Sequence, residues 1–216
     1  MTFTNRKLYA ILIILTTIIG LLLWKEINNF QLITTSASTE SLIADASTPL
    51  NITPADQSLN PGGQLIVVEY QDLGNSKART LHKELSNFAE KKPGVRLVFK
   101  HAPIAHIFSD GVLAHKATYC AGLQHKLWSF LDNLILRDYD LRQSGLQKAA
   151  EDTRLNLPLW STCLTSENTV AAIQKDYNEA QSLELGAPPL VFINNKKLNT
   201  KLDINISDLL STLIAK

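Results

Sequence analysis

The sequence predicts an α/β domain in which a helical insert separates a βαβ half from a ββα half, behind an apolar N-terminal segment. Three observations predict it. Two short, almost continuous apolar runs, "QLIVVEY" and "VRLVFKH", flank an amphipathic helix. A long middle follows in which apolar residues recur at three and four, and the pattern closes as strand, turn, strand and helix. Strands buried on both faces of a sheet read as continuous apolar runs, and a strand–helix–strand unit of this length makes a parallel crossover.

The N-terminus carries "LYAILIILTTIIGLLLW", Leu8 to Trp24, without a charge and bracketed by Lys7 and Lys25. At about 1.5 Å per residue the run spans roughly 26 Å, enough for a thin hydrocarbon core. A cleaved signal peptide has a shorter apolar region and a small-x-small site close behind it, whereas "KEINNF" follows here. The expectation is an uncleaved transmembrane signal anchor over residues 1–24, with the membrane as a partner through residues 8–24. Arg6 and Lys7 keep the tip cytoplasmic and export the remainder, to the periplasm or cell surface.

Residues 25–62 are rich in Ser, Thr, Asn, Ala and Pro and end in "NPGG", the composition of a flexible exported tether. The domain is then expected over residues 63–216. "QLIVVEY" and "VRLVFKH" are its first strands. The helix between them starts at Asn75 or Ser76, turns Ala78, Leu81, Leu85 and Phe88 inward, and stops at "KKPG". The insert spans about 105–182, and Ser166 with Glu167 suits the first turn of its last helix. "PPLVFINNKKL" reads as a strand, a turn at Asn194–Asn195 and a second strand. A final helix offers Leu209, Leu210, Leu213 and Ile214 for packing.

Composition excludes several function classes. A formal net charge of +1 gives no bulk attraction for nucleic acid. His82, His101, His106, His115 and His125 lack metal-ligand spacing and read as surface or cap residues. No metal and no small-molecule cofactor is implied.

From residue 64 onward the chain resembles the DsbA-like branch of the thioredoxin superfamily, exported thiol:disulfide oxidoreductases with a helical insert. "VVEYQD" resembles the strand and acidic loop before that family's active site. "VRLVFKHAPI" resembles its second strand and proline turn, and "YCAGLQHKLWSFLDNLI" its insert segment. "CLTSENTVAAIQKDYNEAQSLELGAPPLVFINNKKL" resembles the last insert helix, the cis-proline loop and the closing hairpin. The order of these matches implies the fold. The activity does not follow, because the family's Cys-x-x-Cys falls on Asn75-Ser76-Lys77-Ala78. That chemistry needs a thiolate at a helix N-terminus and a second thiol to close the disulfide. Asn75 is a good N-cap and no nucleophile, and nothing in sequence is placed to activate Ser76.

The resemblance places a cis proline at Pro188 or Pro189. Counting back from "FIN" selects Pro189, and counting from Gly186 selects Pro188. Cys120 and Cys163 fall where the family often carries a second, non-catalytic pair, which implies a structural disulfide. Two buried free thiols and a relocated redox pair are the alternatives. The leading expectation is a redox-inactive, membrane-anchored module that binds exported peptides or proteins. The turn at Asn75–Ala78 would face the proline loop, with Leu73 and Leu190 as candidate apolar contacts, although Leu190 equally suits the core. An oxidoreductase or isomerase working through Cys120 and Cys163 or a partner's thiols is the second expectation, and a structural subunit of an envelope complex the third.

Overall fold

The computed structural model describes residues 15–25, 43–45, 49–53, 56–104, 109–183, 188–199 and 205–214. Two units are distinguished along the chain, Met1–Leu42 and Ile43–Lys216.

In the first unit residues 15–25 form a helix, α1, whose apolar side chains from Leu15 to Trp24 are exposed. That stretch rises only about 16 Å. No helix among the described residues is long and apolar enough to cross a membrane. Residues 8–14 of the expected span, and the tip before them, lie outside the described residues.

The second unit is built on one sheet with strand order β1-β6-β5-β3-β4-β2. At its centre β3 (Leu65–Gln71) and β4 (Val95–His101) run parallel, Leu65 opposite Val95 and Gln71 opposite His101. The crossover is α2 (Ser76–Lys91). On the other side of β3, β5 (Leu190–Ile193) runs antiparallel with Tyr70 opposite Leu190, and β6 (Lys196–Leu198) returns beside it. The turn between β5 and β6 puts Asn194 and Asn195 at φ 47° and 65°. Asn tolerates these left-handed values, which match the twist of a tight hairpin.

The expected tether is corrected over its second half. Strand β1 (Ile43–Asp45) pairs with β6, and β2 (Ser58–Leu59) pairs with β4. Leu50 and Ile52 pack against the core on one face of the sheet. Lys100 fastens this segment: its buried Nζ lies 2.8 Å from Asp56 Oδ1 and 3.2 Å from the Asn51 carbonyl and from Glu179 Oε2. Backbone pairing at sheet edges and one buried cation fold a polar segment that has no apolar period of its own.

The insert comprises α3 (Ser109–Gly122), α4 (Leu127–Leu136), α5 (Gln143–Asp152), α6 (Leu157–Leu164) and α7 (Glu167–Ser182). α3 to α6 share a core with Leu73 and Phe99. α7 lays Ala180 on the other face, beside Val68, Tyr70 and Phe192. Asn156 and Ser166 cap α6 and α7 through their side chains, as polar N-caps do. His125 follows α3 with φ 57° and an exposed side chain, the cap position expected of it.

Two packing expectations change. On α2 the buried stripe is Ala78, His82, Leu85, Ser86, Phe88 and Ala89, so His82 takes the central place given to Leu81. On α8 (Ile206–Ile214), Leu209 and Leu210 are buried, but Ile214 is exposed.

Candidate functional site

Parallel β3 and antiparallel β5 bring the end of one strand and the start of the other to the same sheet edge. Between Gln71 and Ser76 the chain makes a tight turn around Asp72. The buried Asp72 carboxylate accepts from Gly74 N–H at 2.9 Å and from Ile104 N–H at 3.3 Å. Its carbonyl accepts from Asn75 N–H at 2.9 Å. Asn75 then caps α2, its Oδ1 accepting from Lys77 N–H at 3.0 Å. Its Nδ2 donates to the Pro188 carbonyl at 3.4 Å. The Pro188–Pro189 bond is cis, which makes Pro189 the cis residue.

Around this contact Ser76 and Lys77 are exposed, Asn75 and Pro189 half-buried, and Ala78 buried. No histidine or carboxylate bonds to the Ser76 hydroxyl among the described residues. The turn presents helix N–H groups, a proline carbonyl, the Ser76 hydroxyl and a lysine, and no thiol. Leu73 and Leu190 are corrected as surface contacts, with relative exposures of 0% and 3%. Leu73 turns down into the insert core. Leu190 joins the core around Tyr70 and Phe192.

Beneath the turn lie histidines expected at the surface. His101 and His115 are buried, and their Nδ1 atoms are 2.9 Å apart. Leu73 N–H donates to His115 Nε2 at 3.1 Å, so the His115 proton sits on Nδ1 and is donated to His101. α3 approaches this layer closely: a Cβ on Gly111 would stand 3.0 Å from Gly74 N and Asp72 Oδ1, and glycine leaves that space open. Burial, and secondarily Lys100, pushes His101 down to about 3. Burial, and secondarily His101, holds His115 well below the usual imidazole range. Burial raises the Asp72 carboxyl, against the lowering effect of its backbone hydrogen bonds and of Arg79.

This pair makes the fold acid-sensitive. Histidines with depressed folded pKa values take up protons preferentially when unfolded, so their contribution to stability falls as pH drops below 6.5 toward about 3. Each contributes a slope of up to about 1.4 kcal/mol per pH unit in that window. Urea midpoints measured at pH 7 and pH 5 are expected to fall toward the acid side, and less steeply in His115→Gln. Parallel profiles for the two proteins would remove the pair as the cause.

A second buried pair lies further along α2. His82 Nδ1 is 2.6 Å from Glu69 Oε1, and Gln71 Nε2 donates to Glu69 Oε2 at 2.7 Å. The His82 ring stacks on Trp128, with centroids 6.0 Å apart. The signal in sequence was position: His82 stands four residues after Ala78 and three before Leu85, inside the apolar stripe. His106 lies outside the described residues. No cluster of three or more metal-ligating side chains occurs among the described residues.

Cys120 and Cys163 are joined by a disulfide, with Cα atoms 5.8 Å apart. It links α3 to α6 inside the insert. Cys120 is buried and Cys163 half-buried.

No family model and no curated protein matches the chain. Solved structures do. BdbD from Bacillus subtilis, in its oxidised form, superimposes with a TM-score of 0.66 at 18% identity, covering 80% of this chain and 97% of that one. The thiol-disulfide exchange protein alpha-DsbA2 from Wolbachia pipientis gives 0.66 at 11% identity, covering 75% and 87%. A periplasmic thioredoxin-like protein from Salmonella enterica serovar Typhimurium gives 0.61 at 15% identity, covering 76% and 90%. The fold is thioredoxin-like, with a helical insert. Within the thioredoxin-like domain, the Asn75 turn and the cis Pro189 loop meet at the same sheet edge.

Proposed function

We propose that this chain is an exported, membrane-tethered thioredoxin-fold module that binds extended peptide segments without thiol chemistry. One observation carries the reading: Asn75 caps α2 while its amide reaches the Pro188 carbonyl, so turn and proline loop meet with no sulfur between them. Both cysteines of the chain are already paired inside the insert. With no thiol, affinity comes from backbone hydrogen bonds to the proline loop and the free face of the turn. Because Leu73 and Leu190 are buried, the side-chain contacts fall to Ser76, Lys77 and Pro189. The apolar run at residues 8–24 supports the tether, and the periplasmic thioredoxin-like protein of similar fold supports export.

The test is a photo-crosslinker placed at Lys77 in the full chain, expressed in its native envelope. Adducts to exported polypeptides are expected, and they should diminish when Pro189→Ala alters the loop. Insulin reduction by the same protein should stay at the uncatalysed rate. Turnover of insulin would replace this reading with an enzyme, and adducts indifferent to Pro189 would remove the peptide surface. A mature N-terminus between Lys25 and Asn60 by mass spectrometry would remove the tether.

A further inference from the structure

Between α3 and α7 lies a pocket of about 270 Å³ that the turn does not use. Its walls are apolar: Pro103 closes one end, Val112 stands on α3, and Val170 and Ile173 stand on α7. Lys116, Gln174 and Tyr177 complete the lining, and the Gln174 amide is engaged by Asn178 on its own helix. Val112, Lys116 and Cys120 follow at four-residue spacing and form one stripe of α3. Cys120 Sγ lies 3.8 Å from Thr169 Oγ1, so the bridged end of α3 rests on the first turn of α7. The disulfide from Cys120 to Cys163 ties that end of α3 to α6, and Thr169 at the start of α7 lies against both sulfurs.

Lys116 is the unusual member. It is half-buried and has no hydrogen-bond or ion-pair partner among the described residues. An ammonium partly withdrawn from water beside apolar walls is stabilised by a single anion delivered with its own apolar body. No arginine lines this pocket, so the bidentate fork that favours phosphoryl groups is missing among the described residues. The volume lies just under the range of about 300–1,000 Å³ typical of drug-sized ligands, so the occupant is small.

We propose that this pocket binds an aliphatic monocarboxylate of medium chain length, the carboxylate on Lys116 and the chain between α3 and α7. The proposal is independent of the peptide reading, because Asn75 and Pro189 take no part in it.

The full chain in amphipol, uniformly labelled with nitrogen-15, is titrated with sodium butanoate, hexanoate and octanoate. Saturable amide shifts are expected at Val112, Lys116, Val170 and Ile173. Affinity should rise about fourfold per added methylene until the pocket is full. Hexanol should bind more weakly than hexanoate, and Lys116→Gln should weaken hexanoate at least tenfold. Val170→Trp should abolish the saturable shifts by filling the pocket. Should that variant fail to fold, the Lys116→Gln result decides alone. Shifts confined to residues 15–25 would assign the carboxylate to the apolar segment and overturn the proposal. So would hexanoate affinity indifferent to Lys116. A peptide ending in leucine that shifts the pocket amides where hexanoate does not would also overturn it.

Discussion

The double variant Asn75→Cys/Ala78→Cys is expected to form a reducible disulfide at the turn and to show thiol–disulfide exchange activity, read by insulin reduction, above that of the parent. Position 75 is the N-cap of a 16-residue helix, and its side chain already accepts from Lys77 N–H. A thiolate there would take over that hydrogen bond and face the positive end of the helix dipole. Such settings lower a cysteine pKa from about 8.5 into a range of about 3.5–7.5. Position 78 is buried, so its sulfur would resolve a mixed disulfide from below while only the sulfur at 75 meets substrate. Losing the asparagine cap costs about 1 kcal/mol, a small part of a domain's stability. Thiol titration of the unfolded protein should count two groups more than the parent after reduction and none more after reoxidation. If the variant folds but its thiols stay unreactive or unpaired, the turn is not a thiol site in disguise. The peptide surface built on it then falls as well.

Removing the native bridge should produce the largest loss of stability. Cys120→Ala/Cys163→Ala opens a link between residues 43 positions apart. The chain-entropy model assigns such a loop about 4 kcal/mol. For a chain of this size that corresponds to a melting temperature lower by roughly 8–16 °C. The effect should appear in the insert, where the bridge ties α3 to α6, with Thr169 Oγ1 3.3 Å from Cys163 Sγ at the start of α7. Amide exchange in α3 and α7 is expected to accelerate more than exchange in β3 and β4. An unchanged melting temperature would mean that packing among Ala117, Phe130 and Trp160 already holds the insert without help.

The two central strands and the helix between them were legible because each signal is local. β-rich apolar runs punctuated by Gly and Pro gave β3 and β4. An asparagine before an amphipathic period narrowed the start of α2 to Asn75 or Ser76, and the helix begins at Ser76. Ser166 and Glu167 marked the first turn of α7, where Ser166 proves to be the cap, and adjacent asparagines placed the hairpin turn. The buried histidines were not legible, because their burial depends on partners met only in the folded chain. His82 is admitted to the core by Glu69 thirteen positions earlier, and His101 by His115 fourteen positions later. Leu73 misled for a related reason: a loop leucine looks exposed until α3 covers it.

The sequence by itself determined the order of elements from residue 65 onward, the absence of cysteine at the helix-start turn, and the supply of two cysteines to the insert. These are properties of residue type and short-range period, and folding does not alter them. The tertiary structure alone decided that residues 43–45 and 58–59 belong to the sheet, and that Pro189 is the cis residue beside Asn75. It alone placed Lys116 on the wall of a pocket between α3 and α7. Each of these rests on groups far apart in sequence, whose pairing energy exists only when the whole domain is assembled.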